Sequence, residues 1–560
     1  VQVLGLVPDH AEAVAYYPNP KRLEQKWSAL VGLFGEKASF LELKSKTGID
    51  PSRLGSGPLV KVSFAKAGPA ESWVWLIPTP QPKAALQGLD AKGKGGGWTW
   101  KAPVEPAKKG AKASPSTPLY GTAQAGFLLV ANHEQALAAF QKPKGTLSQE
   151  LSPYATWLER HDVSLVATKH GVERAATEAG QSFKAGAGKP KAGEAPESQS
   201  PKAPKRLQSK LEGWMESART SVHHVLAGLD LTAEGGLQFE AQARLTKGSS
   251  LSRNLETLAP VAGHPLAGLT ARNFALALGG DWSGLFDLQG AVLEDLDKAG
   301  KAQPATKERM QKALEAQGSL IRSWGASLAA PAAGQPMLSG LTSLIRLADS
   351  RAYVSATEDL CKAQNAFFEE LGMPGAVTFT PDALPGVPSC SVTTRMAGKG
   401  EDPAAAQMRQ GMAMAFGGEA LQVSTGALDE HRVLVVLGGP EQLKARLDES
   451  RKGPVGLPAS VAAVEPDLGV DHRFALYLDL RGLRDLAQLA AGMFMGPEAK
   501  PLPAVPEVPA LGVALSLDPS MLELRGSVRG ETLRAAAAFF KAAKSLLPAD
   551  KKPGKGAEVR

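Results

Sequence analysis

Residues His224–Leu245 read HVLAGLDLTAEGGLQFEAQARL. Two alternating runs flank the turn TAEGG at Thr232–Gly236, the pattern of two strands joined by a tight turn. In the second run Leu237, Phe239, Ala241, Ala243 and Leu245 share one face, with Gln238, Glu240, Gln242 and Arg244 opposite. A parallel sheet buried on both faces would show continuous apolar runs, so the alternation predicts an antiparallel sheet with one covered face. Helices such as Leu483–Phe494 and Glu531–Leu547 can supply the cover, the second through a stripe of Leu533, Ala537, Phe540 and Leu547. The expected fold class is α+β, an antiparallel sheet with helices packed on one face.

The N-terminal part follows the same reading. AEAVAYYPN from Ala11 alternates like a half-buried strand, Asn19 suits an N-cap and Pro20 the first helical position. Leu23, Trp27, Leu30, Val31 and Phe34 then repeat at helical spacing. A second helix is expected over Ser39–Thr47, then strands Leu59–Phe64 and Ser72–Ile77 and a short helix from Pro80 to Leu89. Strand Gly126–Asn132, helices His133–Phe140 and Pro153–Arg160, and strand Val163–Thr168 complete the segment.

Several phrases recur. GFLLVANHEQALAAF at Gly126 matches HRVLVVLGGPEQLKARL at His431, and DVSLVATKHGVERA at Asp162 matches HRFALYLDLRGLRDLA at His472. The opening hairpin matches ALGVALSLDPSMLELRGSVRG at Ala510, and ARNFALALGGDWSGLF at Ala271 answers AEAVAYYPNPKRLEQKW at Ala11. Four matches in mostly the same order point to two duplicated halves. The expected division is 1–183 as a first α+β lobe, 184–210 as a Lys/Pro/Gly-rich linker and 211–262 as a hairpin and helix of the first half. Residues 263–548 form a diverged second half and 549–560 a basic tail. This sharpens the three to four domains that length alone suggests for 560 residues.

Hydrophobic residues at 43% and charged ones at 21% place the chain among globular proteins. The formal charge is +7 with a pI near 9.1. The excess sits in Lys101–Pro118, Lys184–Lys210 and Ala549–Arg560, which carry more than the whole of it and lack apolar periodicity. A nucleic-acid reader instead places its charge on a folded face with interleaved aromatics, so no specific nucleic-acid partner is expected. A loose contact with a membrane surface or an anionic polymer remains compatible with such segments. Val1 is followed by no charged and then apolar leader, so no signal peptide is expected within this sequence. The charge-free run Ser323–Ile345 is interrupted by Pro331, Gly334 and Pro336 and reads as a helix end, a loop and the start of a strand. The two cysteines, Cys361 and Cys390, either pair in an oxidising compartment, worth about 3–4 kcal/mol, or persist as buried thiols.

The order of phrases resembles the bacterial envelope family catalogued as domain of unknown function 3352. The phrases that carry the resemblance are LVPDHAEAVAYYPN at Leu6, TGIDPSRLGSGPLVKVSF at Thr47, GFLLVANHEQALAAF at Gly126 and TLSQELSPYATWLERHDVSLVA at Thr146. The likeness covers most of the first half and, more loosely, Val433–Leu486; the second half lacks the TGID phrase. It implies an exported or membrane-anchored protein, periplasmic or at the cell surface, without an assigned activity and with no catalytic residues to carry over.

Few residues suggest chemistry. Lys46-Thr47-Gly48 and Ser63-Phe64-Ala65-Lys66 echo penicillin-recognising enzymes, but in reversed order and with Ser63 in a strand pattern. Gly93–Gly97 lacks the Ser or Thr of a phosphate loop and reads as a turn before Trp98. His223 and His224 are adjacent on a strand and should point to opposite faces. Glu465, Asp467, Asp471 and His472 cluster before the Phe474 strand, where Pro466 and Gly469 suggest a polar turn; oxygen ligands there would suit calcium, though the spacing fits no known loop. Asp479 reads as the N-cap of the following helix. No catalytic, cofactor-binding or metal-ligating residue is assigned and no cofactor is expected. The leading expectation is a non-enzymatic envelope protein that binds or scaffolds a protein or polymer partner. The alternatives are a carrier of an apolar ligand and a hydrolase using Glu465, Asp467 and His472 in a groove between the halves.

Overall fold

The computed structural model describes residues 2–64, 72–103, 117–141, 143–186, 219–256, 263–269, 274–280, 302–331, 335–372, 375–395, 420–452, 456–469, 472–496 and 499–546, with a few single positions between them. The basic tail, nearly all of the 184–210 linker and Asp471 lie outside the described residues. Among the described residues the chain divides into two compact units. One holds residues up to 186, those from 213 to 256, and Leu517–Arg525; the other holds 263–516 and 526–546. The hairpin segment Leu517–Arg525 therefore groups with the first unit rather than with the second half in which the sequence places it.

In the first unit the strands are β1 (Ala13–Tyr17), β2 (Leu59–Phe64), β3 (Ser72–Pro78), β4 (Lys92–Lys94), β5 (Gly97–Lys101), β6 (Pro118–Gln124), β7 (Phe127–Ala131), β8 (Val163–Ala167), β9 (Val222–Leu231) and β10 (Leu237–Leu245). Their antiparallel ladders run in the order β4-β5-β6-β7-β3-β2-β1-β8-β9-β10. In the second unit β11 (Phe274–Gly280), β12 (Ile321–Ala329), β13 (Leu341–Leu347), β14 (Val377–Pro381), β15 (Ser389–Arg395), β16 (Ala420–Asp429), β17 (Arg432–Leu437), β18 (Phe474–Leu478) and β19 (Leu511–Asp518) follow. These are antiparallel in the order β14-β15-β16-β17-β13-β12-β11-β18-β19. Nine consecutive strands thus take the same places in both units. The architecture is α+β with antiparallel sheet throughout.

The period-two patterning explains where each core sits. Val14 and Tyr16, Val60 and Val62, Val74 and Leu76, Leu129, Val166 and Leu226 fall on one face of the first sheet. They bury against Ala136, Leu137 and Phe140 of helix Glu134–Gln141 and Leu158 of helix Ala155–Arg160. Residues one position away, Ala167, Val225 and Ala243, face the other side and meet Val172, Leu251 and Leu255 from helices Lys169–Gly186 and Ser250–Glu256. In the second unit Leu344, Leu434, Ala475 and Ala514 pack under Leu443 and Leu447 of helix Pro440–Lys452 and Val461 and Val464 of helix Ala459–Leu468. The opposite face, at Leu347 and Val433, takes Tyr353 of helix Ser350–Glu370. That helix pairs with Pro304–Ser319 through Met310, Leu314, Leu360 and Phe367. Helices therefore cover parts of both faces of each sheet.

Local signals explain most boundaries. Asn19 caps helix Pro20–Gly32 by accepting from the Arg22 amide at 3.1 Å. Asp479 caps helix Leu480–Met495 through the amides of Arg481 and Gly482. Four expectations are corrected. The helix read over Ser39–Thr47 begins only at Leu43, because Ser39 and the Leu41 amide bind the Glu24 carboxylate and hold that stretch out of helical geometry. The segment Ser323–Ile345 opens inside strand β12 rather than in a helix end; Gly325 permits the close approach, since a Cβ there would meet the Pro265 carbonyl at 2.6 Å. Phe540, placed on the apolar stripe of the last helix, is 60% exposed. On β10 the polar face is covered: Gln242 is buried and Phe239 is exposed. Gln242 and Arg244 form a hydrogen-bonded row with Glu240, which also receives Arg160 and Trp157.

Two glycines show how tightly helices seat on these sheets. Gly171 opens the helix after β8 and Gly482 the helix after β18, and in each case a Cβ would collide with the backbone carbonyl leading into β1 or β11, that of Glu12 or Phe274. Gly482→Ala should destabilise the chain by about 1–3 kcal/mol. Gly492→Ala, in the same helix with open space around it, should stabilise by roughly 0.5–1 kcal/mol through helix propensity. Urea unfolding of the two variants checks this contrast.

Candidate functional site

A dense set of titratable side chains surrounds Glu465 in the second unit. Glu465 lies in the last turn of helix Ala459–Leu468. Its Oε1 accepts from His472 Nε2 at 2.8 Å and faces His264 Nε2 at 3.3 Å, while its Oε2 accepts from the Tyr477 hydroxyl at 2.5 Å. Tyr477 is fully buried on β18 and its hydroxyl in turn lies 3.0 Å from His264 Nε2. The Leu266 amide donates to His264 Nδ1 at 3.1 Å, which places the ring proton on Nε2, toward the carboxylate and the tyrosine. Three donors thus converge on one carboxylate, two from β18 and the residues just before it and one from the loop at His264.

Competing terms set its charge. Burial alone would raise the Glu465 pKa, but the hydrogen bonds from His264, His472 and Tyr477 outweigh it and hold the carboxyl below the usual range. The same carboxylate, added to burial, drives Tyr477 well above the ordinary tyrosine value. A buried carboxylate without partners costs several kcal/mol, whereas each charge-assisted hydrogen bond returns about 1.5–3 kcal/mol. The His472 Nδ1 is buried without a hydrogen-bond partner among the described residues.

The residues singled out in the sequence separate here. Glu465 and His472 meet, but Asp467 turns away and binds Ser527 Oγ at 2.8 Å and Arg529 Nη2 at 3.0 Å. The reason is local: the stretch read as a turn is helical through Pro466 and ends at Gly469, and side chains two apart on a helix face opposite ways. Among the described residues no group of three or more His, Cys, Asp or Glu side chains is arranged to hold a metal ion. His264 went unnoticed in the sequence because it lies 213 residues from Tyr477 and carries no local pattern.

The first unit has a counterpart. His161, two residues before β8 as His472 is two before β18, is buried and its Nδ1 lies 2.6 Å from Asp230 Oδ2. Arg160 Nη2 donates to His161 Nε2 at 3.2 Å, so Nδ1 carries the proton and donates to Asp230. Asp230 also takes the Asp162 amide; burial opposes its charge, but these bonds keep its pKa below the ordinary value. His223 and His224 behave differently from expectation: their Nδ1 atoms lie 2.6 Å apart and His224 Nε2 lies 2.5 Å from Glu150. The cause is a bulge, for Arg244 pairs with His224 and Leu245 with Val222, which leaves His223 as the extra residue and turns its ring toward its neighbour.

The remaining motifs have structural roles. Thr47 ends helix Leu43–Thr47 and Gly48 caps it with φ 81°, while Ser63 sits within β2. Gly95 and Gly96, both at positive φ, form the turn between β4 and β5. Cys361, on helix Ser350–Glu370, and Cys390, on β15, are free buried thiols. Burial pushes Cys361 up to about 11 and Cys390, which also feels Cys361, up to about 12. Thiols so placed are poor nucleophiles.

Because the folded-state pKa of Glu465 lies below its unfolded value of about 4.3, its contribution is present at neutral pH and is lost as pH falls below that value. Glu465→Gln should cost about 1–3 kcal/mol at pH 7, and the difference from the parent chain should shrink between pH 5 and pH 2. Urea unfolding across that range measures it. Compared with known proteins, the chain matches no family model, no curated protein and no solved structure.

Proposed function

We propose that this chain is a non-enzymatic binding or scaffolding protein of the bacterial cell envelope, built from two copies of one α+β unit. The observation that carries the reading is the closure of its acid–base groups on one another. Both oxygens of Glu465 accept from side chains, the His161 ring is held at both nitrogens, and Asp467 is tied to Ser527 and Arg529. A general base needs a lone pair within reach of a substrate proton, and these groups direct theirs inward.

Duplication is supported by the shared order of nine strands, by Gly171 and Gly482 at the same helix–sheet junction, and by His161 and His472 at the same place before β8 and β18. Repetition of a whole unit suits a surface that engages an extended partner, whether an envelope protein or a polymer. The placement in the envelope, periplasmic or at the cell surface, rests on the resemblance of the Leu6, Thr47, Gly126 and Thr146 phrases. The positive charge gathered in unpatterned segments is compatible with contact at an anionic surface and argues against a specific nucleic-acid partner.

The test has two arms. In source cells, fractionation and crosslinking should recover the protein with the envelope and joined to a partner. Purified protein should show no turnover of chromogenic esters, phosphates or glycosides. A cytosolic location, or hydrolysis that disappears in Glu465→Gln while the fold is retained, contradicts the reading.

A further inference from the structure

A cleft of about 570 Å³ opens in the second unit at one end of β12, β13 and β17, where Arg322, Arg346, His431 and Arg432 line it beside Asp429 and Glu430. Three features of the strand pairing bring these charges together. Arg346 of β13 lies directly opposite Arg432 of β17 in the antiparallel ladder. Arg322 is the unpaired extra residue of a bulge, because Ile321 pairs with Leu347 and Ser323 with Arg346. A second irregularity between Ala427 and Asp429 shapes the turn into β17. Bulges re-aim side chains, and like charges facing across a ladder are unfavourable unless something compensates them.

The compensation within the chain is incomplete. Arg432 donates to Asp429 Oδ2 through Nε and Nη2 at 2.6 Å, which leaves Nη1 outside that pair. Among the described residues Arg346 donates only to neutral oxygens, the carbonyls of His264, Pro265 and Ala267 and the hydroxyl of Ser323. Burial and the neighbouring Arg432 both lower its pKa. Arg322 is exposed and has no ion pair among the described residues. His431 is anchored by its Nδ1 on the Ala348 carbonyl at 3.0 Å, which leaves Nε2 outside that bond. Three guanidinium groups thus face two carboxylates, and only one of the three is directly paired.

We propose that this cleft binds a phosphate monoester, gripped by Arg322 and the free Nη1 of Arg432 with the Arg346 charge behind them. A single carboxylate satisfies one guanidinium, as Asp429 already does; two uncompensated guanidinium groups match a doubly charged oxyanion presenting several acceptors. The volume exceeds that of inorganic phosphate and leaves room for the esterified group. The site goes beyond the envelope reading and does not depend on it, since it rests on the donors of the cleft alone.

Titration calorimetry of the full chain with glycerol 3-phosphate tests a soluble source. Co-sedimentation with phosphatidylcholine vesicles, with and without phosphatidic acid, tests a lipid headgroup. Saturable binding to either phosphate source supports the site, and the arm that binds identifies the source; sodium acetate should bind at least about tenfold more weakly. Arg322→Ala, an exposed position whose loss leaves the fold intact, should weaken binding about tenfold, the equivalent of one charge-assisted hydrogen bond. Glu430→Gln should strengthen it. Absence of saturable binding to both sources, or binding indifferent to Arg322→Ala and Arg432→Gln, overturns the proposal.

Discussion

A carboxylate taken out of water must be met by donors, and Glu465 shows how strongly that constraint organises the second unit. The acid reaches it from a helix, Tyr477 from β18, His472 from the residues just before that strand and His264 from a loop far away in sequence. The same loop is fixed from the other side, because Arg346 donates to the carbonyls of His264, Pro265 and Ala267. One half-buried charge thus ties helix, strand and loop together. His161 and Asp230 apply the same solution ahead of β8 in the first unit.

The two units share an order of strands: their ladders have the same sequence of neighbours and are antiparallel throughout. The junction glycines, Gly171 and Gly482, answer one steric demand twice, since a helix entering so close to a strand leaves no room for a Cβ. What differs between units is the use of bulges. In the first, a bulge brings His223 onto His224; in the second, one frees Arg322 from the ladder. Departures from regular pairing are where the distinctive side-chain arrangements arise.

Much of the fold was legible in the sequence because its signals are local. Alternation marked β1 and β9, short apolar runs marked β2, β3 and β8, Asn19-Pro20 marked a helix start and Asp479 another. The site was legible only in part. Glu465 and His472 are close in sequence and were seen together, but Pro466 disguised a helix as a turn and so brought Asp467 wrongly into the group. His264 and the pairing of Arg346 with Arg432 depend on long-range register, which no local pattern records. The polar face of β10 misled for a related reason: alternation locates two faces, but the burial of Gln242 and the pairing of Glu240 depend on partners such as Arg160 and Trp157 elsewhere.

The acid–base groups of the second unit are engaged with each other through Glu465. A double-mutant cycle on Glu465→Gln and Tyr477→Phe, read by urea unfolding at pH 7, tests it most directly. Mutual engagement predicts a coupling of about 1 kcal/mol or more. Additive effects, with each substitution close to neutral alone, would contradict it and leave Glu465 free for chemistry.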